Sequence, residues 1–274
     1  MLLQSTNKKY HLKAMAQHTY VSYESGCGKL ACVNENEASF LLQKIFIEEE
    51  YGHLDYGCGN HIVDVGGNIG VFAKYAAFRS GGEDTTVWSF EPMPPLFKCL
   101  QANVRNTDKV YNLGVGHTGT VRMDYLPNYT LLSGYHASHN QTNYEQAAKN
   151  NSVDVNVDHA FKSTQYDVDI VTLSTALKPI LESDDMIAIL KIDVEGMEKD
   201  VVDTISDELW VRIHQVVIEV HEEGDRISYI EKLLQSKGFD VSRGELAPPC
   251  FLLGEDICAD DINTCLVTGI KKRI

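Results

Sequence analysis

The chain has no run of 18 consecutive apolar residues, so it offers no membrane-spanning helix. Its opening, Met1-Leu-Leu-Gln-Ser-Thr-Asn-Lys-Lys-Tyr10, contains no apolar stretch of signal-peptide length. Basic charge is scarce: 24 Lys and Arg stand against 39 Asp and Glu, a net charge of −15. That balance excludes a nucleic-acid partner held through its phosphates, because such binding rests on clustered Lys and Arg. The seven cysteines form no CxxC pair and have no His at zinc-finger spacing, which excludes the usual zinc and dithiol motifs. We read them as reduced thiols in a cytoplasmic protein without membrane or nucleic-acid partners. Internal repeats and low-complexity tracts are also missing. What is present is ordinary globular composition, with 43% hydrophobic residues among 274, enough for a full core.

Residues 38–50 have helical composition and spacing and precede any strand signal, so residues 1–60 are expected to form an N-terminal helical extension. From residue 61 strands and helices alternate: strand 61–65, helix 68–78, strand 87–90, helix 94–104 with proline in its first turn, and strand 110–115, broken at Gly114. Residues 119–126 look extended. The polar stretch 127–160 is too long for a simple connection and reads as a binding loop, a lid or disorder. Alternation resumes with strand 186–192, apolar on both faces and therefore central and parallel. A helix at 197–209, strand 216–220, helix 226–237 and extended segments near 239–243 and 265–270 follow. The expected fold of residues 61–274 is α/β, a doubly wound, mostly parallel sheet.

Four short motifs fall at the ends of these strands. Asp64-Val-Gly-Gly-Asn-Ile-Gly70 fails the dinucleotide fingerprint, because Val65 stands where its first glycine belongs. Asp64, Gly66 and Gly70, with Asn68 between, instead suit S-adenosylmethionine (SAM), which has no pyrophosphate to cradle. Asp64 is expected to accept from the ligand's ammonium directly or through water, and Gly66 to let the backbone approach the ligand. Glu91, ending the next strand, suits ribose hydroxyls, although a solvated strand end reads the same way. Asp193 and Glu195 stand two apart on what looks like extended chain, so both point to one side; either would also serve as the cap of the next helix. Glu219 and His221 repeat that spacing, with Glu219 placed to orient the ring. No tight ligand motif calls for a metal, though carboxylates and imidazole together suit several ions.

Asp64-Val-Gly-Gly-Asn-Ile-Gly70, Phe90-Glu-Pro92, Lys191-Ile-Asp-Val-Glu-Gly196 and Glu219-Val-His221 together resemble the FkbM family of SAM-dependent O-methyltransferases over about residues 60–240. Tyr125-Leu-Pro-Asn-Tyr-Thr-Leu-Leu-Ser-Gly-Tyr-His136 further resembles the O-methyltransferase domains of polyketide and non-ribosomal peptide assembly lines. Gly67 replaces the usual alanine. The resemblance implies SAM bound by Asp64, Gly66, Asn68, Gly70, Glu91, Pro92, Gly114, Asp193 and Glu195. It also implies an acyl chain on a phosphopantetheinyl carrier as the partner. A base is needed as the hydroxyl proton leaves, and an unperturbed His is largely free base at neutral pH. His136 in the long loop is the leading candidate, with His221 and Glu219 on the scaffold beside it. A free sugar or other small alcohol is the second possible acceptor. A nucleotide-dependent oxidoreductase or an inactive SAM-binding module is the remote alternative.

Overall fold

The structure, a computed structural model, describes residues 19–23, 28–81, 84–127, 130–134, 162–245 and 264–271. It begins with an antiparallel hairpin, β1 (Thr19–Tyr23) and β2 (Gly28–Cys32), so a strand pair precedes the expected helical extension. Helix α1 (Glu35–Leu42) starts where the Asn34 side chain accepts from the backbone N–H of Asn36 and Glu37, which satisfies two of the orphan donors of a first turn. It runs on into a π-helical turn, Gln43–Ile47.

The sheet strands then follow in turn: β3 (His61–Val65), α2 (Val71–Arg79), β4 (Thr86–Phe90), α3 (Pro94–Asn103) and β5 (Lys109–Tyr111). The expected third strand ends early. Asn112 turns aside to donate from Nδ2 to the carbonyls of Glu91 and Pro92, and β6 (Gly114–Val115) leaves for a second sheet. That sheet pairs β6, β8 (Thr164–Val171) and β7 (Gly119–Tyr125) in the order β6-β8-β7. Strand β8 has no counterpart in the sequence reading. After it come α4 (Leu173–Ala176), α5 (Lys178–Leu181), β9 (Ile187–Ile192), α6 (Glu198–Asp203), α7 (Asp207–Arg212), β10 (Ile213–His221), α8 (Arg226–Ser236), β11 (Phe239–Arg243) and β12 (Thr264–Lys271). The single helix expected at 197–209 is two, because Ser206 caps α7 through the Leu209 N–H.

The main sheet has the order β11-β12-β10-β9-β3-β4-β5, with β10, β9, β3, β4 and β5 parallel and β12 antiparallel to both neighbours. Both faces are covered. Ile62, Val87, Ile189 and Val217 pack under α1, α2 and α3, whereas Val63, Leu190, Val216 and Ile218 pack under α4 to α8. The period-2 alternation of a strand explains this division, and double coverage explains why every residue of β9 is buried. Strand order reverses between β3 and β9, and ligands of open α/β sheets bind at the carboxyl ends beside such a reversal.

There the two chain segments touch. The Asp193 N–H donates to the Val65 carbonyl at 3.0 Å, and the N–H groups of Gly66 and Gly67 both donate to the Phe90 carbonyl. Gly66 has φ +85°, and a Cβ there would lie 1.7 Å from the Asp193 carbonyl oxygen. Gly66→Ala is therefore expected to lower stability by more than the ~1–3 kcal/mol of left-handed strain alone, because backbone has to move as well. Gly119→Ala, where the added methyl meets nothing within 4 Å, is the control. Thermal unfolding of both variants checks it; equal midpoints would show that the two loops are not in contact.

Candidate active site

A cavity of about 670 Å³ opens at the carboxyl ends of β3, β4, β9 and β10, within the size range of cofactor sites. Gly66, Asn68, Glu91, Pro92, Gly114, Asp193, Glu195, Glu219 and His221 all line it. Asp64 and Gly70 do not. His136 lies outside the described residues, as does most of the 127–160 stretch.

Asp64 is fully buried behind the wall. Its Oδ1 accepts from Lys191 Nζ at 3.2 Å, so the expected contact with a ligand ammonium is replaced by an internal ion pair. Its Oδ2 has no hydrogen-bond partner, although Ser89 lies near enough to favour the carboxylate; burial outweighs both neighbours and pushes the Asp64 carboxyl up. The Lys191 ammonium also meets Asp193 Oδ2 at 3.2 Å and the Gly66 carbonyl at 3.3 Å. Burial alone would lower this lysine, but Asp193 and Asp64 outweigh it and hold it charged. The sequence reading passed over Lys191, yet a lysine inside an apolar central strand is itself a signal, since such a charge needs partners.

The glycines also answer to protein neighbours. Gly66 lines the cavity and in addition clears the Asp193 backbone. Gly70, at φ +87°, precedes α2, and a Cβ on it would press Leu100 Cδ1 at 2.9 Å. Gly114 lines the cavity, but what requires its small size is Ile170, whose Cδ1 would sit 2.2 Å from a Cβ.

Glu91 is 4% exposed. Its Oε2 accepts from the Asn68 N–H and its Oε1 from the Met93 N–H, both at 2.8 Å. Two fixed donors hold the carboxylate rigid and leave one acceptor site on each oxygen, the pattern a vicinal diol needs. Burial raises its pKa to about 7 against the pull of those donors. The solvated-terminus reading is thereby excluded. Asn68 reaches φ +46° to aim its N–H at Glu91.

Asp193 and Glu195 do not lie on extended chain. Strand β9 stops at Ile192, and Glu195 sits at φ +52°, so a turn rather than strand alternation brings both side chains to the cavity. Neither caps a helix: Met197 occupies the cap of α6. The Glu195 carboxylate meets His221 Nε2 at 3.2 Å, and buried Glu198 meets Nδ1 at 2.9 Å. Glu198 also accepts from Arg226 Nη1 at 3.1 Å and from the Gly196 N–H at 2.7 Å. The His221 ring is thus oriented by Glu195 and Glu198, not by Glu219. Burial would lower its pKa, but the hydrogen bonds and charge of the two carboxylates outweigh that and raise it well above 6.5, which favours the imidazolium over the free base. Burial, with Asp193 next, raises Glu219 to about 8.

Apolar side chains also line the cavity, some from the N-terminal segment (Phe40, Leu41 and Ile45) and others from Val121, Met123, Leu131 and Ile170, with Lys44, Glu50, Thr130 and Ser133 among them. Buried Glu37 ties the two sides together, accepting from Thr130 Oγ1 and, at 3.4 Å, from the Leu131 N–H. Burial lifts Glu37 to about 7. Among the described residues no group of three or more His, Cys, Asp or Glu side chains is arranged to hold a metal ion, and no helix is long and apolar enough to cross a membrane.

The family model of the methyltransferase FkbM domain matches residues 64–241. The 31-O-demethyl-FK506 methyltransferase FkbM of Streptomyces tacrolimicus is 33% identical over 232 residues, which cover 77% of this chain and 85% of that one. Methyltransferase sdnD of Sordaria araneosa is 29% identical over 233 residues, 80% of this chain and 89% of that one. The AMB antimetabolite synthetase AmbE of Pseudomonas aeruginosa is 28% identical over 241 residues, 78% of this chain but 11% of the synthetase.

Two outcomes follow from the geometry. Glu91→Ala is expected to weaken S-adenosylhomocysteine by about 1–3 kcal/mol, the cost of unpairing buried hydroxyls; calorimetric titration showing unchanged affinity would detach Glu91 from the ribose. The second concerns pH. Glu37, Glu91 and Glu219 sit above their ordinary value of 4.5 and His221 above 6.5, so the folded chain keeps protons that the unfolded chain has released. Stability then falls as pH rises. The thermal midpoint of the ligand-free protein is expected to drop steadily between about pH 5 and about pH 8, and less so in Glu37→Gln. A midpoint rising over that window would mean these carboxyls are ionised in the fold.

Proposed function

The chain belongs to the FkbM family of SAM-dependent methyltransferases, and on that premise we propose that it methylates a hydroxyl oxygen of a polyketide-type acyl chain held on a phosphopantetheinyl carrier protein. The observation that carries this reading is the lining of the cavity, which joins carboxyls at the strand ends with a large set of apolar side chains. A sugar acceptor needs a wall dense in hydrogen-bonding groups; Phe40, Leu41, Ile45, Val121 and Met123 suit an aliphatic chain instead.

The residues present fit SAM. Glu91 has two acceptor positions left for the ribose hydroxyls, and cavity carboxyls without protein partners face the space a cation would occupy. When bound, SAM supplies a methyl carbon activated by its sulfonium. The chain contributes alignment, which is most of what an in-line displacement needs, and a proton acceptor near the incoming hydroxyl. Glu91 orients the ribose, and the Asn68–Met93 donors keep Glu91 in place. Asp193, anchored by Lys191, would be available to a ligand ammonium. His221 and Glu195 line the cavity, and buried Glu198 holds the His221 ring from outside that lining. His136, in the long loop, is a candidate for the proton acceptor.

A second reading, methylation of a free small molecule, draws support from the Streptomyces relative, whose name specifies an O-demethyl compound. The carrier-bound reading draws support from the synthetase relative, in which the similar segment is a small part of a far longer chain. Incubating the protein with SAM and either a hydroxyacyl carrier protein or the matching free alcohol separates them. Intact mass spectrometry should find one added CH2 on the carrier-bound chain; methylation of the free alcohol alone would select the second reading. Turnover is expected to survive exhaustive chelation, and restoration of a lost activity by magnesium or manganese would make the cavity carboxylates metal ligands.

A further inference from the structure

Glu37 on α1 is a buried carboxyl that donor binding does not use. It is 2% exposed and stands behind the cavity lining rather than in it. Both of its oxygens go to one short turn: Oε2 bonds the Thr130 hydroxyl, and Oε1 accepts from the Leu131 N–H at 3.4 Å. Its neighbours Ala38 and Leu42 belong to the apolar core. An aliphatic side chain at position 37 would join that core without the cost of desolvating a carboxyl. The protein gives up that stability to hold Thr130 and Leu131.

The turn is closed at its base. Asp124 and Gly134 exchange backbone hydrogen bonds at 3.2 and 3.0 Å. The Leu126 N–H donates to Ser133 Oγ at 2.9 Å, and the Ser133 N–H donates to the Thr130 carbonyl at 3.1 Å. These bonds anchor the turn to the end of β7; the bonds to Glu37 add α1. Thr130, Leu131, Ser133 and Gly134 all line the cavity, and a Cβ on Gly134 would lie 3.8 Å from Glu195 Cβ. Phe40 and Leu41 line it from α1, three and four residues after Glu37 and so on the same face of the helix. One carboxyl thus spans two separate pieces of the lining, 93 residues apart in the chain at its Thr130 bond.

We propose that Glu37 is a positioning residue for the acceptor: by clamping Thr130 and Leu131 to α1, it sets the spacing between Phe40–Leu41 and the 130–134 turn, and with it the fit of the acceptor chain. This deepens the methyltransferase reading above and rests on it. The donor residues are held by other means, Glu91 by the Asn68 and Met93 N–H groups and Asp193 by Lys191. Among the described residues Glu37 shares no hydrogen bond with either. Burial raises Glu37 to about 7 against the pull of Thr130 and Leu131, so both of its forms occur near neutrality. As a carboxylate it accepts from both partners. As an acid it donates from Oε2 to Thr130 Oγ1 and still accepts from the Leu131 N–H. The clamp therefore needs the hydrogen-bonding pattern and not the charge. A glutamine, with one carbonyl and one amide donor group, can reproduce it.

Hydrogen–deuterium exchange of the full chain, with neither SAM nor acceptor, reads the clamp itself. Glu37→Ala should speed exchange over residues 130–134 by about tenfold, the worth of one lost hydrogen bond, while residues 66–68 keep their wild-type rate. Unchanged exchange at 130–134 would overturn the clamp. Turnover with SAM and a hydroxyacyl carrier protein, or with the matching free alcohol if that is what is methylated, reads the consequence. Glu37→Ala and Thr130→Val should each raise the acceptor KM by about tenfold and leave S-adenosylhomocysteine affinity in place, which also reports that the variants are folded. Glu37→Gln should recover most of the KM lost in Glu37→Ala, and the double variant Glu37→Ala/Thr130→Val should be little worse than Glu37→Ala alone. A glutamine variant as impaired as the alanine one, or thioether affinity falling in step with KM, would overturn the assignment. Should Glu37→Ala fail to bind the thioether, Thr130→Val decides. Wild-type KM in the variants would sink this proposal alone; an unaltered protein that binds SAM but methylates neither acceptor would sink the acceptor reading above and this assignment with it.

Discussion

Everything at the site hangs on the buried ammonium of Lys191. It sits where strand order reverses, bonded to Asp64 on β3, to Asp193 beyond β9 and to the carbonyl of Gly66 in the loop between. One cation thereby ties the end of β3 and the loop after it to the end of β9, 127 residues further along the chain. Both charges of the Lys191–Asp64 pair are almost wholly out of water. Deleting Lys191 would strand Asp64 in the interior, a defect worth about 3–5 kcal/mol in comparable cases. The geometry of the donor site is thus secured from behind, and the residues facing the cavity are left free to meet ligand.

A second ionic knot repeats the device on the next strand. Glu198 gathers His221, Arg226 and the Gly196 N–H around one buried carboxylate, so the charge on His221 serves to align the turn carrying Glu195. The histidine that suggests a base in the sequence carries two carboxylates on its ring while still lining the cavity.

The sheet was legible because its strands are short apolar runs that end in glycine or carboxylate, and strand β3 coincides with the expected 61–65. Glu91, Asp193, Glu195, Glu219 and His221 were legible as a group for the same reason: strand ends converge on one edge. What escaped is tertiary. Nothing local to Glu37 marks a carboxyl that folding will bury, and β8 alternates too weakly, with Thr164, Gln165 and Asp167 exposed, to stand out beside a polar stretch. The packing demands on Gly66, Gly70 and Gly114 escaped because a glycine is silent about which neighbour requires it; only the distance from a hypothetical Cβ to Asp193, Leu100 or Ile170 shows them.

Part of the cavity's apolar lining is borrowed from α1 and the turn after it, ahead of residue 64, where the family match begins, while Val121, Met123, Leu131 and Ile170 supply the rest from within it. Phe40, Leu41 and Ile45 take no part in the ion pairs of Lys191, so substitutions there can reshape the cavity while those pairs stay intact. The shape of the site can thus drift in a segment that carries none of the family's motifs.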